Sequence, residues 1–179
     1  MPKTPQMAAH APDIAPFSWH GPTQDQYPLL LASPHSGRAY PAAFLAHSRL
    51  DIAQLRHAED PWVDHLLRPA VQHLQLGLIA ANWGRSVIDL NRAPDELDPE
   101  IFDTPLPTPT GDSAARIAAG LGVLPRIAAP GLPIYRAPLP LEEAHWRLEI
   151  AHQPYHDGIA QRLIRQRHQY SMAVLIDCH

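Results

Sequence analysis

The 179-residue sequence holds a single cysteine, Cys178, which excludes an internal disulfide framework and suits a reducing, cytoplasmic compartment. No apolar run approaches the ~18 residues that a membrane span needs. The first twenty residues also lack the basic-then-apolar order of a secretory leader, so neither a span nor a leader is expected. Positive charge is not in excess either. Fourteen basic against 18 acidic side chains give a formal charge of −4, which offers no electrostatic footprint for nucleic acid or anionic lipid. There is no Gly-x-Ser-x-Gly elbow of a serine hydrolase. Gly120-Leu121-Gly122 lacks the spacing and the strand–helix setting of a dinucleotide fingerprint.

What the chain has in surplus is proline, 21 residues, and histidine, 12. Proline removes a backbone donor and fixes φ, so short helices and extensive loops are expected. Histidine is the commonest metal ligand and the acid–base group of neutral pH. The length fits one domain, and an apolar fraction of 45% is enough for a core. Residues 1–24, with five prolines and no periodicity, read as a flexible N-terminal arm, and residues 25–179 as one compact unit.

The apolar runs Tyr27–Ala32, Leu78–Ala81, Val87–Leu90 and Ala173–Ile176 read as strands. Ser48 is placed as the cap of a short helix. A longer helix is expected after Asp60-Pro61, with Pro69 inside it. Leu141 to Arg167 has helical spacing, interrupted at Pro154 by a kink. Strands alternating with helices predict an α/β fold with a mixed, largely parallel sheet and flanking helices.

Three groupings could carry chemistry. Two predicted strands run into histidine, at His35 and His179, and ligand sites of α/β sheets lie beyond the carboxyl ends of strands. With Glu59 or Asp60 as a third ligand they would make a catalytic metal site, which leaves one position open. The plainer reading makes Asp60 an N-cap and His35 a turn residue. The second grouping is Arg85 to Arg92, where arginine forks suit carboxylates and where Asp89, if buried, needs an arginine partner. It reads equally as a carboxylate clamp formed by Arg85, Asn91 and Arg92 or as an internal network. The third is Tyr155-His156, a donor beside a potential acid–base group, or simply a half-buried helix face. Cys178 is expected to be packed rather than nucleophilic.

Several stretches resemble the N-formylglutamate amidohydrolase family in order and approximate spacing. They are Ser33-Pro34-His35-Ser36-Gly37, Glu59-Asp60 leading to Val63-Asp64-His65-Leu66, and Arg85 with Val87-Ile88-Asp89-Leu90-Asn91-Arg92-Ala93-Pro94. They continue through Gly122-Val123-Leu124-Pro125-Arg126-Ile127, Ile134-Tyr135, Pro154-Tyr155-His156 and Leu175-Ile176-Asp177-Cys178-His179. The resemblance implies a fold similar to that of the zinc carboxypeptidases and one zinc ion held by His35, Asp60 and His179, with Glu59 as the alternative acid. It implies hydrolysis of N-formyl-L-glutamate to formate and glutamate, a step of histidine breakdown. Arg85, Asn91, Arg92 and Tyr155 would then bind this small-molecule substrate, and His156 would assist catalysis. Members of the family continue past the Asp-Cys-His motif, so the resemblance also implies that a C-terminal part bearing a general-base glutamate is lacking here. The rival expectations are a related N-acyl amino acid amidohydrolase, or an inactive remnant or binding protein.

Overall fold

The computed structural model of the chain describes residues 14–179. A four-stranded sheet runs in the order β1-β3-β2-β6: β1 Phe17–His20, β2 Leu29–Ser33, β3 Gly77–Ala81 and β6 Val174–Asp177. β2 pairs parallel with β3 and with β6, and β1 closes one edge antiparallel to β3. The mixed, largely parallel sheet of the sequence reading is therefore present. Part of the expected arm is not an arm: Phe17-Ser18-Trp19-His20 alternates apolar and polar residues and pairs with Leu78 to Ala81. The first thirteen residues of that expected arm lie outside the described residues.

Helices cover both faces. α3, Val63–Leu74, packs over Leu31, Leu78 and Ala80 with Val71 and Leu67. The other face carries the larger core, in which Leu30, Ile79 and Ala81 meet Tyr155 and Ile159 of α6, Gln153–Tyr170. Gly158 allows that approach, because a Cβ there would stand 2.8 Å from the Phe17 ring and 3.0 Å from the Ile79 side chain. α6 follows α5, Leu141–Arg147, through a π-turn at Leu148–His152. The interruption of this long helix thus falls just before Pro154. The short helices α1, Ala42–His47, α2, Ile52–Leu55, and α4, Ala114–Ala118, occupy the proline-rich connections, with a small hairpin of β4, Ile127–Ala129, and β5, Leu132–Pro133.

Three local expectations differ from the structure. α2 is capped by Asp51 through a capping box with Gln54, and Ser48 instead exchanges hydrogen bonds with the backbone of Leu50. Val87–Leu90 is no strand; it is a loop whose apolar side chains are wholly buried, with Val87 and Ile88 both 0% exposed. Burial on every side makes an apolar run look like a parallel strand, and periodicity alone does not separate the two. α3 begins at Val63, after Trp62 in a left-handed conformation (φ 70°), so Asp60 is not its cap.

β6 is the free edge of the sheet. Val174, Leu175 and Ile176 are 40, 41 and 44% exposed, an apolar edge bare on both faces. Among the described residues no helix is long and apolar enough to cross a membrane.

Candidate metal centre

The site is built at the carboxyl ends of two neighbouring parallel strands, the central β2 and the edge strand β6. β2 ends at Ser33, and Gly37 lets the following loop settle on the end of β3, since a Cβ there would stand 2.2 Å from the Trp83 carbonyl oxygen. This turns His35 inward to 3% exposure. β6 pairs with β2 in register from Leu29↔Val174 to Ala32↔Asp177, which carries His179 alongside. The two imidazole centroids are 4.8 Å apart although 144 residues separate them in sequence.

Asp60 joins them. Its Oδ2 accepts from His35 Nδ1 at 2.9 Å and from His179 Nδ1 at 2.8 Å. A backbone hydrogen bond from the Asp60 N–H to the His35 carbonyl, 3.1 Å, fixes the two loops together. Turning away at Trp62, instead of entering the helix directly, leaves the Asp60 carboxylate free of capping duty. Glu59 points elsewhere. Its buried carboxylate accepts from the Tyr40 hydroxyl and from Arg56 Nε at 3.0 Å. His35, Asp60 and His179 thus offer ligand atoms within 4.8 Å of one another.

A cation fits this donor set. Two nitrogens aim their hydrogens at a single carboxylate oxygen, and a metal would replace protons crowded at one point. The far nitrogens are arranged for the same purpose. His35 Nε2 donates to Asp89 Oδ1 at 2.7 Å and His179 Nε2 to Asp177 Oδ2 at 3.0 Å. A carboxylate behind a histidine fixes the tautomer, aims the other nitrogen and raises its basicity, the usual surroundings of metal-bound imidazole.

Electrostatics follow from these contacts. Burial alone would raise the Asp89 carboxyl, but the hydrogen bond and charge of His35, then Arg85 and the Asn91 N–H, outweigh it and hold Asp89 well below the ordinary carboxylate range. Asp60 is lowered in the same way, its partial burial being outweighed by hydrogen bonds from His179 and His35. His179 is raised: burial works against its charge, and the bonds to Asp60 and Asp177 overcome that.

The remaining candidates have distinct places. Arg85 Nε donates to Asp89 Oδ2 at 2.9 Å and its Nη1 to the Ala58 carbonyl at 3.3 Å, so the internal network is what the structure shows for it. Asn91 sits next to the centre, its side-chain amide 3.2 Å from His179 Nε2 and its backbone N–H on Asp89 Oδ1. Arg92 is half-buried and reaches the carbonyls of Leu121 and Asn91. Tyr155 does not line an open site. At 1% exposure it is enclosed in the core edge-on to Phe17, because α6 turns it toward the sheet. One position on, about 100° around the helix, His156 faces the 87–92 loop, and its Nε2 donates to the Leu90 carbonyl at 2.9 Å. That nitrogen is engaged with the backbone, which is not the free acid–base group expected from the sequence. Cys178 is half-buried, and burial, then the neighbouring Asp177, push its thiol up, consistent with an unreactive position. Asp177 itself, two residues before His179, was not among the sequence candidates. Only the strand end that brings it beside the imidazole singles it out.

Residues 27–179 match the model of the family described as N-formylglutamate amidohydrolase. The chain belongs to that family. It is 29% identical over 155 residues to an N-formylglutamate deformylase of Pseudomonas aeruginosa and 30% identical over 161 residues to one of Pseudomonas putida. The matches take in 85 and 87% of this chain but 51 and 52% of those proteins, so the chain spans about half the length of the curated relatives it matches. Its fold superposes on the crystal structure of N-formylglutamate amidohydrolase from Ralstonia eutropha with a TM-score of 0.80 and 31% identity, covering 92% of this chain and 57% of that one. A gene product of Agrobacterium tumefaciens shares the fold at 19% identity and a TM-score of 0.60.

Proposed function

We propose that this chain is the metal-binding portion of an enzyme that hydrolyses the formamide bond of N-formyl-L-glutamate to formate and glutamate, with zinc as the metal. The observation that carries the reading is the convergence of His35 Nδ1, His179 Nδ1 and Asp60 Oδ2 at the strand ends of a family member. These three atoms would hold the ion. Zinc, when bound, supplies Lewis acidity toward a carbonyl oxygen and lowers the pKa of water to about 7.

The chain's own residues then have definite tasks. Asp89 and Asp177 hold the histidines in the tautomer that leaves Nδ1 free for the ion. The reaction adds water across the amide: the C–N bond breaks, the formyl carbon gains the oxygen, and the amine nitrogen takes a proton. The substrate carries two carboxylates, and the set from which they would be bound is Asn91 beside the centre, Arg85 behind Asp89 and Arg92 next along the loop. His156 is given no proton-transfer step, because its Nε2 is held by Leu90.

The test is a panel of N-formyl amino acids assayed with zinc, using protein expressed from the full open reading frame that encodes this chain. A site built to bind both carboxylates rejects an uncharged side chain strongly. N-formyl-L-glutamate should therefore be turned over at least about 100-fold better, in kcat/KM, than N-formyl-L-norleucine. A chelator should abolish the activity and zinc should restore it. Equal turnover of the two substrates, or activity indifferent to chelation, contradicts the reading.

A further inference from the structure

The 87–92 loop has no strand partner to fix it, yet it carries the carboxylate behind His35 and a side chain next to His179. Asp89 stands behind His35, and Asn91 lies against His179. The N–H groups of Val87 and Asp89 go to the Gly84 and Val123 carbonyls, and three of the loop's own carbonyls are held by one helical element on the opposite side. Arg147 Nη1 donates to the Val87 carbonyl at 2.8 Å, His156 Nε2 to the Leu90 carbonyl at 2.9 Å and His152 Nε2 to the Arg92 carbonyl at 2.8 Å. Carbonyl oxygens only accept, so each histidine must carry its hydrogen on Nε2. The two rings lie against each other, tilted by 38° with centroids 4.3 Å apart, and His152 is 5% exposed.

An uninterrupted α-helix would not present these three side chains together. Arg147 and His152 are five residues apart, which leaves them about 140° out of line at 3.6 residues per turn. The turn between them, Leu148–His152, is a π-turn, in which residues five apart stand nearly over one another. α6 is regular again from Gln153, where four-residue spacing keeps His156 under His152. The one extra residue in that turn is what puts Arg147, His152 and His156 in a single row.

We propose that the π-turn at Leu148–His152 is a registration device, and that His156 and His152 are positioning residues for the metal centre. They fix the backbone of the 87–92 loop and, through Asp89, set the orientation of His35. The inference rests on the proposed metal site, and it assigns His156 a role other than acid–base catalysis. It also accounts for a polar row on a helix face turned toward the core: each donor matches one loop carbonyl that no strand partner answers.

The experiment compares wild type, His156→Phe and His156→Gln in the 179-residue chain. Zinc affinity is measured by competition with a chromophoric chelator. Hydrogen exchange of peptides spanning residues 84–92 is measured on metal-free protein, with peptides of β3 as the internal reference. Phenylalanine keeps the ring and removes the donor; glutamine restores an N–H at similar reach. Loss of a group that orients metal ligands typically costs 10–100-fold in affinity. His156→Phe should therefore bind zinc at least about 10-fold more weakly, with faster exchange confined to 84–92, and His156→Gln should return to within about 3-fold of wild type. Unchanged zinc affinity in a folded His156→Phe protein, or an equal loss in both variants, overturns the proposal. Should His156→Phe fail to fold, His152→Phe and His152→Gln decide it by the same readouts at the Arg92 carbonyl. A wild-type chain that binds no zinc contradicts the metal site instead, and the exchange data on metal-free protein then judge the clamp by itself.

Discussion

His35→Ala is expected to lower zinc affinity by well over 100-fold. The substitution removes one of three converging ligand atoms, so its effect should exceed the roughly 10–100-fold that loss of an outer partner alone produces. It also strips the buried Asp89 of its shortest hydrogen bond, 2.7 Å, leaving that carboxylate to Arg85 and the Asn91 N–H. The informative contrast is Glu59→Gln. Glu59 is the acid adjacent in sequence, but its oxygens are taken by Tyr40 and Arg56. Zinc affinity should stay within about 3-fold of wild type in Glu59→Gln, because an outer-partner loss already produces more than that, while thermal stability falls. Calorimetric titration of both variants makes the comparison. Near-normal binding in His35→Ala, or a collapse of binding in Glu59→Gln, would reassign the site.

The largest effect on stability is expected at Arg147. The residue is 0% exposed, paired with Glu143 through Nε at 2.7 Å, and it donates to the Val87 carbonyl and to the Tyr135 hydroxyl. Its guanidinium lies 5.1 Å from the centroid of the Phe44 ring. Arg147→Met keeps most of the volume but strands a buried carboxylate and an unpaired carbonyl. Breaking one side of a buried pair typically costs about 3–5 kcal/mol, which for a chain of this size lowers Tm by roughly 6–20 °C. Adding Glu143→Met should recover part of the loss, since a well-packed apolar pair avoids the stranded charge. Thermal unfolding of the single and double variants checks both statements. A Tm for Arg147→Met within about 2 °C of wild type would mean that the pair contributes little.

The sequence made the strand ends legible for a simple reason. Leu29–Ala32 and Val174–Ile176 are short apolar runs that stop at polar residues, and a parallel sheet places such stops at one edge. That was enough to single out His35 and His179 across the whole chain. Asp60 was legible from its own residues only as an acid near a helix start, and only the family resemblance favoured it over Glu59; the left-handed turn at Trp62 and the partners of Glu59 supply the physical reason. Val87–Leu90 misled because a loop buried on all sides has a strand's composition, its backbone answered by Val123 and Arg147 rather than by a neighbouring strand. Tyr155 and His156 looked alike in sequence, yet adjacent helical positions face different ways, one into the core and one toward the loop. The π-turn left no trace in the residues. It exists only where three donors meet three carbonyls supplied from 60 to 66 residues away.

Zinc-edge X-ray absorption of the chain loaded with one equivalent of zinc tests the central claim most directly. The account predicts two imidazole nitrogens at about 2.0–2.1 Å with carboxylate oxygen completing the shell, and no sulfur at about 2.3 Å. A spectrum with sulfur from Cys178, or one without imidazole scattering, would contradict it.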